Sequence, residues 1–523
     1  MPPVLNYPGV YIEELPSAVH TITGVATSIA AFVGWAPQGS VTEAVQVFSF
    51  SDFQREFGGL DSRSYLGYAV NQFFGNGGQQ AYIVRLAWTD AATAAGAIPL
   101  SGGGAQNVWA SSPGLWASNP NGIQIQIAVT IQPGGTGLFN IQVQDGNSGK
   151  VLETFTNLSV TSVVPTIDSD SQFITFIDPA TGNPPAAPGS VPSAGTVALS
   201  GGLDGTVLQP NDGNFENALN VAAAISTTPP PPNSTGLQVL NRVDIFNLLC
   251  IPGENDVATM GSLEQYCFNN RAVYIVDSPQ IATTPNLNTL GPAGLSASVL
   301  TALTGQHPEN ATYYYPWVQA PDSLANNKAR LFPPSGFVAG IYASTDASRG
   351  VWKAPAGIDA RLAGVSGLQY VLTDPENGVL NVQAINCLRQ FKVYGDVVWG
   401  ARTLAGNDQA GSQWKYVPIR RVALYIESSL YDGTQWVVFE PNDETLWAQI
   451  RLNVGAFMQG LFLQGAFQGT TPQQAYFVKC DSENNPQSSI NQGIVNILVG
   501  FAPLYPAEFV VIQIQQIAGL TQT

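Results

Sequence analysis

The sequence predicts a multidomain chain of mixed α/β and α+β class carrying an inserted β-rich domain, and three observations predict it. From Val239 a strand-like run (Val243 to Ile251), a helical one (Ala258 to Asn270) and a second strand (Ala272 to Val276) follow one another. That order is a βαβ unit, for which a right-handed crossover and parallel strands are expected. Between about residues 90 and 200, apolar and polar residues alternate, as in Ile123-Gln124-Ile125-Gln126-Ile127, with Gly-rich turns at Gly102 to Gly104 and Gly134-Gly135. Period-two alternation marks half-buried strands, here a small β-sandwich. Finally, 523 residues exceed what one hydrophobic core commonly holds, so about two to four domains are expected.

The elements follow in chain order. Residues 1 to 20 are punctuated by proline and extended, with one strand-like run, Val10-Tyr11-Ile12-Glu13-Glu14, between Pro8-Gly9 and Pro16. Residues 21 to 88 are compact: a strand at Ser28 to Val33, a helix around Phe53 to Gly59 with Asp52 at its N-cap, a helix at Tyr65 to Phe74, and a strand at Ala81 to Arg85. After the β-rich and βαβ regions, Tyr313 to Val318 reads as a buried aromatic strand. It runs into a double-proline turn at Pro333-Pro334 and a helix of small residues (Ser335, Gly336, Val338, Ala339, Gly340, Ala343). Further on, Trp436 to Phe439 reads as a strand and 443 to 463 as a long helix. That helix has an apolar stripe of Trp447, Ile450, Val454, Phe457, Met458 and Leu461, with Asp443 and Glu444 complementing its N-terminal dipole. Ala507 to Ile517, AEFVVIQIQQI, is again strand-like. A terminal strand either pairs within its own domain or exposes an unpaired edge, and the residues alone leave both readings open.

Composition narrows the function. Only 11% of residues are charged against 45% hydrophobic, a surface poorly protected against association and tolerable in a chain that assembles. A net charge of −17 offers no basic field to release counterions from phosphates, so no nucleic acid is expected as partner. Arg55, Arg63, Arg85 and Lys150 are the only cations before residue 240; the others lie between Arg242 and Lys479. Cys250, Cys267, Cys387 and Cys480 are widely spaced, without a C-x-x-C pair, and read as buried free thiols in a reducing compartment. The start MPPVLNYPGVYIEELPS lacks a basic region followed by an apolar core, and no later apolar run is long enough to span a bilayer. Assembly in the cytoplasm and no direct membrane insertion are therefore expected.

Catalytic chemistry finds little support. Asp277, His307 and Ser335 stand in a chain order that a serine protease could use, but geometry and roles define a triad, not order. Ser335 sits at a helix N-cap, and His20 is the only other histidine. Two isolated histidines and scattered thiols do not make a metal shell. No G-x-x-x-x-G-K-[ST] and no G-x-G-x-x-G after a strand is present, so no cofactor is expected. Trp35, Trp116, Trp317, Trp352, Trp399, Trp414 and Trp447 could be imagined as a sugar platform, yet their places beside turns or in a helical stripe suit core filling.

The fragments YYPW, PPSG, VAG and TDASRGVWKAPA between Tyr314 and Ala356 resemble the tail sheath proteins of contractile phages and phage tail-like injection systems. YPGVYIEE, VGWAPQG, SFSDFQREFGG and VNQFFGNGGQQAYIVRL are similar to that family's N-terminal region. WGART, WKYVPIRR, VVFEPND, GAFQGTTPQQAYFVKCD and APLYPAEFV are similar to its C-terminal domain. The resemblance implies an N-terminal arm at 1–20, the first part of the sheath core at 21–88 and an inserted outer β-sandwich at 89–205. It further implies a subtilisin-like α/β domain at 206–395, an α+β tube-proximal domain at 396–506 and a C-terminal arm at 507–523. It implies a structural protomer, not an enzyme, that polymerises helically around an inner tube and contracts to drive that tube through a target envelope. The partners implied are further copies of the chain, the inner tube protein, and baseplate and tail-terminator proteins. The final location is a virion, a released particle or a cell-anchored injection system. The arms are expected to donate strands to neighbouring copies through Val10, Tyr11, Ile12 and Glu13 at one end and Phe509, Val510, Val511, Ile512, Gln513 and Ile514 at the other. Arg451, Lys415 and Lys479 are expected to hold the inner tube. The alternatives are a hydrolase on the α/β domain and a carbohydrate-binding β protein.

Overall fold

The computed structural model describes residues 20–135, 137–226, 229, 231, 234–280, 306–408 and 411–513. Two compact units divide the chain. The larger comprises 27–349 and 354–420, and the smaller draws together the start of the chain, 350–353 and the region from Arg421 onward.

The larger unit is built on an eight-stranded sheet. Its spatial order is Gly395–Val398, Ile385–Phe391, Ala311–Tyr315, Val273–Asp277, Leu248–Cys250, Ala30–Trp35, Ala81–Leu86 and Val45–Val47. The six inner strands run parallel, and each outermost strand pairs antiparallel with its neighbour. Strands covered on both faces need apolar side chains in both directions, and Ala30 to Val33, Val273 to Val276 and Tyr313 to Tyr315 are all buried. The predicted βαβ unit is present with its parallel pairing, through helix Val257–Asn269, although its first strand is only Leu248–Cys250. Residues 243 to 247 approach it outside the ladder, and Asn247 Oδ1 instead accepts from the Ile29 amide (2.9 Å).

Two helices, Leu66–Gly75 and Ser335–Arg349, pack against each other beneath the sheet. Gly336 and Gly340 face the backbone of Ala69 and Phe73 so closely that a Cβ would lie 2.6 and 2.7 Å from their carbonyl oxygens. The helix Phe50–Phe57 starts earlier than the sequence reading has it. Ser49, not Asp52, is the N-cap and accepts from the Asp52 amide (3.2 Å), while Asp52 reaches back to the Phe48 amide (3.2 Å) and Ser49 Oγ (2.9 Å). Both residue types cap helices, and the one placed before Phe50 takes the role because Phe53 and Phe57 must then point into the core.

The inserted region forms two antiparallel sheets. Three strands are Ala95–Pro99, Ala105–Ala110 and Ile174–Thr175; four are Gly195–Ala198, Ile125–Ile131, Phe139–Asp145 and Val151–Leu158. Ile98, Val108, Ile125, Ile127, Phe139, Ile141, Val143 and Leu199 fill one shared core.

In the smaller unit, helices Val417–Gly433 (from Arg421) and Glu444–Leu463 and the hairpin Tyr476–Lys479/Leu498–Phe501 surround a core of Ile22, Val351, Val422, Trp447, Ile450, Val454, Met458 and Leu461. Asp443 caps the long helix, accepting from the amides of Thr445 (2.9 Å) and Leu446 (3.2 Å). The apolar stripe lies buried as expected, with Phe457 partly so. The expected strand at Trp436 to Phe439 is instead a 3-10 turn, Gln435–Val437. Its β-prone residues lose to tertiary contact, since Trp436 stacks on His20 with ring centroids 4.2 Å apart.

Candidate functional site

The carboxyl edge of the parallel sheet is where open α/β folds place chemistry. Asp277 ends its strand there and accepts from the Ser335 amide (2.7 Å), Ser335 Oγ (2.7 Å) and the Gly253 amide (2.9 Å). Two members of the formal triad therefore do meet. The third does not: His307 precedes the strand Ala311–Tyr315, at the amino edge of the sheet. It bonds Glu309 (3.0 Å) and stacks on Phe268 at 3.5 Å. Ser335 Oγ donates to a carboxylate, with no imidazole to take its proton, and the pair serves as a buried helix cap. Among the described residues no group of three His, Cys, Asp or Glu side chains could hold a metal ion. All four cysteines are free and buried, and burial pushes the thiols of Cys250, Cys267 and Cys387 up.

A cleft of about 290 Å³ runs between the core and the insert, lined by Gln38, Arg55, Glu56, Trp116 and Phe173 among others. Its polar lining is largely committed to the chain itself. Gln38 donates to the carbonyls of Arg55 (3.1 Å) and Glu56 (3.5 Å), Ser112 Oγ accepts from the Gly39 amide (3.1 Å), and Ser111 Oγ donates to the Gln172 carbonyl (2.7 Å). Trp35, Trp317 and Trp447 fill cores, and Trp399 is an exposed exception.

The ends of the chain present a different kind of surface. Val10, Tyr11, Ile12 and Glu13 lie outside the described residues, as does Ile514. Phe509, Val510, Val511 and Ile512 are extended and 74%, 82%, 80% and 79% exposed, and through Gln513 the segment joins no sheet. The hairpin Tyr476–Lys479/Leu498–Phe501, which sequence reasoning missed, is a two-stranded sheet. Among the described residues neither of its outer edges carries a further strand. The expected tube-holding cations are all engaged within the chain. Arg451, one-third exposed, donates to Glu444 (2.6 Å) and to the Cys480 carbonyl. Lys479 pairs with Glu483, and that hydrogen bond holds its ammonium above the usual lysine range. Lys415 belongs to the larger unit and pairs with Asp408 (2.6 Å). Arg451 thus bonds the backbone of Cys480, the residue that follows Lys479.

Residues 409–517 match the phage tail sheath C-terminal domain family. A putative prophage major tail sheath protein of Pseudomonas aeruginosa (strain UCBPP-PA14) is 30% identical over 197 residues, 37% of this chain and 48% of that protein. Over these regions the chain is homologous to tail sheath proteins. The tail sheath protein of Vibrio phage KVP40 is 28% identical over 178 residues, 33% of this chain and 25% of that protein. The matches thus span about half or less of the length of these curated relatives. The chain's fold is also that of solved sheaths. The sheath complex of PVC, an extracellular contractile injection system, in its contracted state superposes with a TM-score of 0.58 at 23% identity, covering 98% of each chain. The contracted helical sheath of the anti-feeding prophage gives 0.58 at 22% identity, covering 98% of this chain and 100% of that one. A sheath tail protein of Listeria innocua gives 0.58 at 13%, covering 92% and 97%. The mixed α/β multidomain fold is therefore that of sheath proteins.

Proposed function

We propose that this chain is a structural sheath protomer, many copies of which polymerise helically around an inner tube and contract to drive that tube through a target envelope. The observation that carries the reading beyond homology is the C-terminal segment. Four consecutive large apolar side chains, Phe509 to Ile512, stand in water on an extended backbone that pairs with nothing among the described residues. Such a segment is an aggregation hazard in a monomer and a donated strand in an assembly. The open hairpin Tyr476–Lys479/Leu498–Phe501 is the matching acceptor on a neighbouring copy, and residues 1–20 are the second arm. Head-to-tail donation of this kind builds an open helix when the rotation between copies does not close a ring. In this reading the eight-stranded unit is the subtilisin-like domain without its chemistry, the two antiparallel sheets form an outward-facing sandwich, and inner tube, baseplate and tail-terminator proteins are the partners. Assembly takes place in the cytoplasm, and the product is a virion, a released particle or a cell-anchored device.

Negative-stain microscopy of the purified chain is expected to show long hollow cylinders. Deleting 507–523 or 1–17 should leave a folded subunit, with unchanged circular dichroism, that forms none. Cylinders at normal yield from both truncations would remove the arms from assembly, and monodisperse particles from the intact chain would remove the sheath reading.

Arg451, Lys415 and Lys479 are proposed as tube contacts with their internal pairs in view. Exposed pairs contribute only about 0–1 kcal/mol each, so exchange of Glu444 for a tube carboxylate costs little. Arg451→Glu is expected to yield sheaths that polymerise without a tube. The double variant Arg451→Glu, Glu444→Arg rebuilds the internal pair and separates the roles: normal tube-filled particles from it would make Arg451 an internal strut only.

A further inference from the structure

The outermost strands of the eight-stranded sheet, Gly395–Val398 and Val45–Val47, stand at its opposite ends, roughly 34 Å apart at about 4.8 Å per strand. At the first end, Ile385–Phe391 turns through Lys392, Val393 and Tyr394 into Gly395–Val398. Turn tips favour Gly, Asn, Asp and Ser, yet here Val393 is 79% and Tyr394 42% exposed, with Phe391 packed on Trp399 behind them at 4.6 Å between ring centroids. Lys392 is exposed in the turn and Arg361 lies beside Gly395. Neither has an ion pair among the described residues. Asp396, the hairpin's one carboxylate, is partly buried and takes a hydrogen bond from Gln390.

At the other end, the cleft of about 290 Å³ reaches Val45 of the outermost strand. Trp116 and Phe173, half-buried with ring centroids 6.4 Å apart, supply its apolar wall. Its charge is the reverse of the hairpin's: Arg55 is shared between Asp52 (3.1 Å) and Glu56 (3.0 Å), and Glu43 has no ion pair among the described residues. The bonded polar groups of the lining ask nothing of a ligand, which leaves aromatic faces and a spare carboxylate.

We propose that the tip Lys392–Tyr394 of one copy seats in this cleft on the next copy, Tyr394 against Trp116 and Phe173 and Lys392 toward Glu43. A sheet's width separates tip and cleft within one chain, so the contact can only join two copies. It is head-to-tail and repeats from copy to copy. The aromatic anchors carry the affinity, and the rim charges set orientation and exclude a reversed fit. The proposal rests on the sheath reading above and adds to the arms a contact between the larger units of neighbouring copies.

The test is disulfide trapping in the full chain, whose own four cysteines are buried. Under copper-phenanthroline oxidation, Val393→Cys with Gln172→Cys, which lines the cleft, is expected to give a ladder of linked dimers, trimers and longer species. Val393→Cys with Lys150→Cys, outside the cleft, should give none, and an equal ladder from it would mark random collision and overturn the contact. Adding Lys392→Glu should cut the linked fraction about fivefold, the upper end for one exposed charge pair, and Glu43→Lys on top of it should restore linking. A ladder that Lys392→Glu leaves unchanged would overturn the seating beside Glu43. Cylinders without a ladder would overturn the contact and leave the sheath reading standing, whereas a ladder from protein that forms no cylinders would do the reverse.

Discussion

Replacing Gly340 by leucine is expected to destabilise the larger unit by about 4 kcal/mol, an unusually large single-site effect. A Cβ there would stand 2.5 Å from Asn76 Cβ and 2.7 Å from the Phe73 carbonyl oxygen, and the second of these is backbone that no rotamer change can clear. Gly336, one turn earlier, meets Ala69 in the same way, and Gly77 meets Ser344 from the opposite side. The two helices therefore touch along a stripe of small residues, Gly336, Gly340 and Ser344 on one and Ala69, Phe73 and the segment Asn76-Gly77 on the other. A side chain at the middle of the stripe must part them, opening voids around Val338, Ile341 and Tyr342, which are buried now. Native stabilities are on the order of 5–15 kcal/mol, so soluble yield should fall as well as the urea midpoint. Ala347→Leu, on the exposed side of the same helix, should change stability by less than about 0.5 kcal/mol. Equal midpoints for the two variants would show that the helices can separate freely and that the glycines are incidental.

That stripe was legible in the sequence, and its consequence was not. Pro333-Pro334 followed by Ser-Gly-Phe-Val-Ala-Gly announces a helix with small residues at intervals of four, but only the fold says which helix it meets. The same division runs through the chain. Periodicity and proline punctuation place the parallel strands and the long helix of the smaller unit. The order of strands in the eight-stranded sheet depends on contacts hundreds of residues apart, such as Ala30 with Leu248, for which local pattern carries no signal. Trp436 to Phe439 misled because β-propensity is weaker than the stacking of His20 on Trp436. The engagement of Lys479 by Glu483 is an i,i+4 relation visible in sequence. That of Arg451 by Glu444 and the Cys480 carbonyl is not, so Arg451 looks free until the fold is known. The exposed apolar run Phe509 to Ile512 could be read from the sequence, whereas the hairpin proposed as its acceptor joins strands on either side of the helix Gln487–Asn491.

Arg85→Met is expected to cost about 4 kcal/mol and to loosen the root of the insert before the central sheet. Arg85 is a charge placed among the apolar residues of AYIVRL, itself a signal that the sequence reading passed over. In the structure it is almost wholly buried, yet its hydrogen bonds go to backbone, not to a carboxylate. Nε donates to the Ala36 carbonyl (2.7 Å), one terminal nitrogen to Gly39 (2.7 Å), and the other to Pro37 (3.2 Å) and Pro113 (2.9 Å). Pro113 belongs to the insert and the other three to the core, so one guanidinium ties the two together. Around it, Ser112 Oγ accepts from the Gly39 amide, and Asp204 accepts from the Leu115 amide (2.8 Å) and from Arg63 (3.0 Å). Burial pushes the Arg85 pKa down to about 10, so the side chain stays cationic at neutral pH. Methionine keeps the apolar stem but stops short of the guanidinium and leaves four carbonyls without their donor, at about 1–3 kcal/mol for each that water cannot reach. Lysine supplies a compact ammonium that cannot span four acceptors arranged around a planar fork, and Arg85→Lys should lose about half as much. Hydrogen exchange at 36–39 and 111–115 should rise first in both variants, with Leu248 to Cys250 still protected. Unfolding of Arg85→Met at the wild-type urea midpoint, with exchange at 111–115 unchanged, would show that water replaces the guanidinium without loss and that the insert is held by its other contacts.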